Sequence, residues 1–213
     1  MEDKLLLKLE NKTMSKKELL QMVKKDSSLI PIIIDGVSSP KAAVRYGCAK
    51  VLMDLSEECP NRLYPHMDFF VKMLDSKYRI LTWNAMAIIA NLVKVDVEKK
   101  FDAVFDRYYL FLNDEYMVTV ANVVGCSGRI ALAKPYLVDR ITNELLKVEN
   151  ISLSPHLTEE CKRVITEQAI KSFDLFFDKI SRKQEVISFV ERHLSSTRKT
   201  LRAEAENFLK KWK

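Results

Sequence analysis

Pro40-Lys41-Ala42-Ala43-Val44-Arg45-Tyr46-Gly47-Cys48-Ala49-Lys50-Val51-Leu52 is the stretch on which the reading of this chain turns. From Val44 through Leu55 apolar residues recur at intervals of three and four, the spacing that gives an α-helix one buried face. Ser39-Pro40 in front of it has the form of an N-cap followed by proline in the first helical turn. Ala49 is a small residue within that apolar stripe, as a helix needs where it crosses a neighbour closely.

Working outward from Ala49, the chain repeats. Ala85 and Ala121 follow at successive spacings of 36, and Ala169 and Ala205 continue after a single step of 48. Five residues before each alanine stand Val44, Ile80, Tyr116, Val164 and Thr200; four after stand Met53, Ile89, Gly125, Phe173 and Leu209. Sixteen before stand Ile33, Phe69, Phe105 and, in the last unit, Phe189; eleven before stand Leu74, Leu110 and Leu194. Each unit reads as a first helix rich in large apolar residues, a polar turn, and a second helix carrying the small anchor. The turns are Ser38-Ser39-Pro40-Lys41, Asp75-Ser76-Lys77, Asn113-Asp114 and Ser195-Ser196-Thr197. One such pair cannot bury both of its faces, but a stack can. The fourth unit's extra residues fit a longer loop from Val148 to Ser154, with Ser154-Pro155 as another cap-plus-proline start. The expected units are 27–60, 61–98, 99–135, 136–183 and 184–213. Residues 2–26 precede them as a capping helix pair, with Ser15-Lys16-Lys17-Glu18 in capping-box form. A non-repetitive bundle is the competing arrangement, and the five anchors in register favour repeats.

The quoted stretch resembles the second-helix pattern of HEAT repeats, P-x-x-x-V-R followed by small residues and a leucine. Asp75 to Ile89 is a weaker copy, with Arg79 displaced by two positions. Over residues 27–213 the chain is similar to the HEAT/armadillo class. The resemblance implies an all-α fold, an α-α superhelix: a right-handed solenoid of about five HEAT-like helix pairs with an N-terminal cap, forming a single domain over 1–213.

Composition narrows the function. The 213 residues include 35 Lys+Arg against 29 Asp+Glu, a net charge of +6, with 47% hydrophobic and 30% charged residues. Only 4 Gly and 6 Pro are present, which argues against a many-turned β fold, a phosphate-cradling loop and a dinucleotide fingerprint. No apolar run approaches the ~20 residues of a bilayer crossing. Met1-Glu2-Asp3-Lys4 places acids before the Leu5-Leu6-Leu7 run, the reverse of a secretory signal, so a cytoplasmic protein is expected. Cys48, Cys59, Cys126 and Cys161 form no CxxC pair, and reduced thiols packed as small hydrophobes are expected. His66, His156 and His193 fall in different units with no second ligand at helical spacing. Gly125-Cys126-Ser127-Gly128 lacks nucleophile-elbow spacing and reads as a kink or helix end. No cofactor, metal site or catalytic residue is expected.

Partner contact is the function left. At ~100° per residue, the positions two before, six before and one after each anchor share the face opposite it. They include Ala43, Gly47 and Lys50 in the first unit, Arg79, Trp83 and Met86 in the second, and Thr119 and Asn122 in the third. In solenoids resembling HEAT and armadillo proteins, second helices line the concave surface. The expectation is a non-enzymatic scaffold holding a protein or peptide through Lys50, Arg79, Trp83, Met86, Thr119 and Asn122, with Asn122 similar in role to the Asn ladder of peptide-binding armadillo proteins. The same helical wheel also allows Trp83 to pack between units. The alternative is a nucleic-acid-binding protein resembling the HEAT-like DNA alkylation-repair glycosylases. Residues 182–213 hold nine bases and four acids, a balance of +5, with Arg198, Lys199, Arg202 and Lys210 as candidate contacts. A third reading is a structural subunit that uses apolar patches on first helices.

Overall fold

The structure, a computed structural model, describes residues 2–213, with side chains from Leu5 onward; the acidic start up to Lys4 lies outside the described side chains. Among the described residues there is no strand, only an isolated antiparallel bridge between Ser154 and Leu157. The chain forms two compact units that divide after Phe101.

The first unit opens with α1 (Glu2–Glu10) and α2 (Lys16–Lys25). The capping box forms as its sequence implies: the Glu18 N–H donates to Ser15 Oγ at 3.2 Å, and the Ser15 N–H donates to the Glu18 carboxylate at 2.7 Å. Then come α3 (Ile30–Gly36), α4 (Ala42–Glu58), α5 (Pro60–Leu63), α6 (Met67–Met73) and α7 (Arg79–Leu92). α4 packs on α2, α3 and α7, and its Ala49 is fully buried. A side chain at Gly36 would begin 2.5 Å from Cys48 Sγ, so α3 and α4 need glycine to touch. The Asn91 amide donates to Ser56 Oγ at 2.9 Å, a buried polar link between α7 and α4. Asp96 accepts from the Tyr64 hydroxyl at 2.7 Å and from the Lys100 and Phe101 N–H groups at 2.8 and 3.0 Å. It thereby caps α8 (Lys100–Leu110), and burial together with this bond pushes the Tyr64 phenol up to about 12.

The second unit continues from Asp102 through α9 (Met117–Ala133), α10 (Val138–Leu146), α11 (Glu159–Phe176), α12 (Lys183–Glu191) and α13 (Lys199–Trp212). α9 and α11 pack most intimately. Ser172 donates to the Val124 carbonyl at 2.6 Å, and a Cβ on Gly128 would sit 3.2 Å from the Ser172 carbonyl oxygen. This corrects two expectations. The Gly125–Gly128 segment is no helix end but runs through the middle of α9. Ala121 is only half-buried, whereas Ala49, Ala85, Ala169 and Ala205 are sealed. The missing Cβ at Gly128 lets the α9 backbone come close to Ser172 of α11.

The turns also differ in detail from the cap-plus-proline reading. α4 begins two residues after Pro40, and Ser39 Oγ accepts the Lys41 N–H at 3.2 Å. Ser76, Asp114, Ser154 and Ser196 make the same bond to the N–H two residues on. Ser154 precedes no helix directly; Thr158 is the N-cap of α11. Of the leucines that recur eleven residues before the anchors, Leu74 is buried, whereas Leu110 and Leu194 are exposed by 65% and 39%.

Candidate functional site

Three second helices of the first unit, α2, α4 and α7, present the surface of interest. On α7, residues 81, 82, 85, 86, 88 and 89 are buried. Arg79 and Ile80 are exposed, and Trp83, Asn84 and Ala87 are half-buried, so one strip of an otherwise sealed helix reaches solvent. Ile80 keeps 44% of its surface exposed. At the start of α4, Ala42 and Ala43 are exposed and Tyr46 is half-buried.

Arg45, the basic residue of the HEAT-like pattern, is not part of this surface. It is 6% exposed and donates to the Ser39 and Pro40 carbonyls at 2.9 and 3.1 Å. Its guanidinium lies 3.9 Å from the centroid of the Tyr78 ring and 4.7 Å from that of Tyr46. A planar cation suits this place because it stacks on rings while its edge donates to carbonyls. The two tyrosines meet edge-on at 6.3 Å, which links the first turn of α4 to the residue before α7.

Next to Tyr46 opens a cleft of about 890 Å³. Leu9, Met14, Ala42, Ala43, Tyr46 and Gly47 form its apolar lining, and Lys12, Lys16 and Lys17 stand on its rim. Leu9 crosses Gly47 so closely that a Cβ there would lie 2.7 Å from a leucine methyl. Ala43 and Gly47 belong to the helix rows the sequence singles out, but the cleft itself was not legible. It depends on where the α1–α2 connection lies, and Lys12 there has the left-handed φ of 57°.

The residues expected to bind a partner are placed unevenly. Lys50 is half-buried and paired with Asp54 at 2.5 Å along its own helix. Met86 and Thr119 are 0% and 1% exposed, which removes both from any partner-facing surface. A helical wheel has one buried face, whereas a helix inside a stack is covered on several sides. Asn122 is half-buried in the second unit, with an amide N–H donated to the Val118 carbonyl at 2.7 Å.

The basic end of the second unit is largely neutralised. Arg198 bridges Glu160 at 2.7 Å and Glu167 at 3.0 Å. Burial would raise the Glu167 carboxyl, but bonds from Lys171, Thr200 and Arg198 outweigh it and hold the group at about 2. Arg192 pairs with Glu149, Lys211 with Asp174 and Lys213 with Glu191. Arg202 is half-buried and donates to the Ser196 carbonyl at 3.4 Å, leaving Lys199 and Lys210 as exposed candidates. His156 stacks on Tyr116 at 4.3 Å, and burial lowers His193. Among the described residues no three His, Cys, Asp or Glu side chains gather as a metal site. Nor is any helix there long and apolar enough to cross a membrane.

No family model and no curated protein matches the chain. Solved structures do. A designed armadillo repeat protein in complex with the peptide (KR)4 aligns with a TM-score of 0.68 at 15% identity, covering 99% of this chain and 92% of the other. A further designed armadillo repeat protein aligns at 0.63 and 18%, covering 96% and 90%. Computationally designed armadillo repeat proteins for modular peptide recognition align at 0.64 and 16%, covering 98% and 92%. The fold is therefore an all-α, armadillo/HEAT-like helical repeat.

Proposed function

We infer that the protein is a non-enzymatic scaffold that binds a protein or peptide partner on its second-helix face. The observation that carries this reading is the solvent-reaching strip of α7, where Arg79, Ile80 and Trp83 interrupt an otherwise buried helix. Aromatic and arginine side chains held on a rigid element supply contact area at small entropic cost, which is why they recur at binding hot spots. Stacked helices keep such a surface ordered before a partner arrives. Lys50 and Asn122 remain peripheral candidates under this reading. Affinity capture from the source organism with the intact chain and with Trp83→Ala tests it. A partner retained by the intact chain and lost by the variant, with both equally helical, is the expected outcome. Equal capture by both would sink the assignment of the α7 strip.

A further inference from the structure

We propose that the cleft between the α1–α2 connection and the first turns of α4 docks an acidic segment of a partner protein that carries large apolar side chains. The proposal rests on the scaffold reading above and names the chemistry of its ligand. The lining of the cleft is apolar. Ala42 and Ala43 are exposed and small, so the floor between Met14 and Tyr46 stays open rather than being filled by the chain's own side chains.

The rim is basic. Lys12, Lys16 and Lys17 are exposed and make no ion pair among the described residues. Elsewhere in the same unit Lys24, Lys41 and Lys50 are matched by Glu58, Glu10 and Asp54. The one acid lining the cleft, Glu18, is engaged by the Ser15 N–H and hydroxyl, whose hydrogen bonds lower its carboxyl. It answers none of the rim lysines with an ion pair. Lys16 and Lys17 also stand in the first turn of α2, where the helix dipole disfavours cations. Lys16 and Lys17 so placed do nothing for the helix they sit on, and with Lys12 in the connection they complement a carboxylate-bearing ligand. The Tyr46–Tyr78 contact joins the cleft's lining to the residue before Arg79 on α7. The sign is opposite to that required by the basic peptide named with the similar designed protein.

The test uses the full chain and three fluorescein-labelled peptides about a dozen residues long. One carries Leu among Asp and Glu. The second keeps the Leu positions and replaces every acid with Lys, and the third keeps the acids and replaces Leu with Ser. Anisotropy titrations at low and physiological salt are run on the wild type, on the Lys16→Glu/Lys17→Glu double variant, on Ala43→Trp and on Trp83→Ala. The expected result is binding of the acidic Leu peptide, weakened about tenfold or more by either variant and by exchange of its acids or its Leu, and falling with salt. The double variant puts acids in the first turn of α2, so its melting temperature should hold or rise, which separates lost binding from lost folding. Unchanged affinity in the double variant, or no binding of the acidic peptide to the wild type, overturns the proposal. Binding of the Lys peptide that is lost in Trp83→Ala but kept in the double variant overturns it too, while leaving the scaffold reading intact. Failure of the scaffold reading shows separately, as capture indifferent to Trp83.

Discussion

At the scale of single residues, charge is used mainly for structure. Glu167 is 7% exposed and accepts from Lys171 at 2.6 Å, Thr200 at 2.6 Å and Arg198 at 3.0 Å. Its folded pKa of about 2 lies below the ordinary 4.5, so its contribution is complete above about 4.5 and is lost as pH falls toward 2. Glu167→Gln should cost roughly 2–3 kcal/mol near neutrality and flatten the acid limb of the stability profile, as urea titrations between those pH values would register. A variant as acid-sensitive as the wild type would refute this account. Trp83 is the second case. Because it is half-buried, Trp83→Ala should cost less than the ~3–5 kcal/mol of a sealed aromatic. Iodide should quench it in part once Trp212 is replaced by Phe. Complete protection from quenching would count against its role at the surface.

At the scale of elements, the turns and the close helix crossings carry the repeat. Ser39, Ser76, Asp114 and Ser196 each accept the N–H two residues on and stand three residues before a second helix, so the polar turn residues quoted from the sequence hold the chain at corresponding corners. The crossing of α9 and α11 offers a matched pair of substitutions. A Cβ at Gly128 would meet Leu175 Cδ1 at 2.6 Å and Ser172 backbone at 3.2 Å, whereas at Gly125 it would meet only Gln168 Oε1 at 4.0 Å. Gly128→Ala should therefore destabilise by ~1–3 kcal/mol through overpacking. Gly125→Ala, in the same helix, should stabilise by roughly 0.5–1 kcal/mol through lower backbone entropy in the unfolded chain. Thermal melts of the two variants should move in opposite directions, and movement in the same direction would refute this assignment of the crossing.

At the scale of the whole molecule, the local balance of +5 over residues 182–213 overstates what a polyanion would meet at that end. The last thirty or so residues supplied most of the case for nucleic acid, yet Arg192, Arg198, Lys211 and Lys213 have acidic partners there. Exposed pairs are individually weak, but at this end they leave few cations free to release counterions from a phosphate backbone. Binding to DNA or RNA should be weak, indifferent to sequence and abolished near physiological salt, as an anisotropy titration with duplex and single-stranded probes would check. Tight, sequence- or lesion-selective binding would favour the glycosylase-like alternative over a scaffold.

Helix periodicity, the capping box at Ser15–Glu18 and four of the five alanine anchors were determined by local sequence, because spacing and side-chain size act within one helix or between adjacent ones. The all-α repeat fold followed from them. Rotation of a helix about its axis was decided only by tertiary contact. Ala121 ends half-buried although its position matches the other anchors, and packing on several sides of α7 buries Met86, which a wheel with a single buried face leaves open. Pairing across long separations was hidden for the same reason: nothing near Arg198 in sequence announces Glu160 or Glu167. The cleft belongs wholly to that level, since Lys12, Lys16 and Lys17 become a rim only when α1 crosses Gly47 and sets the connection beside Ala42 and Ala43.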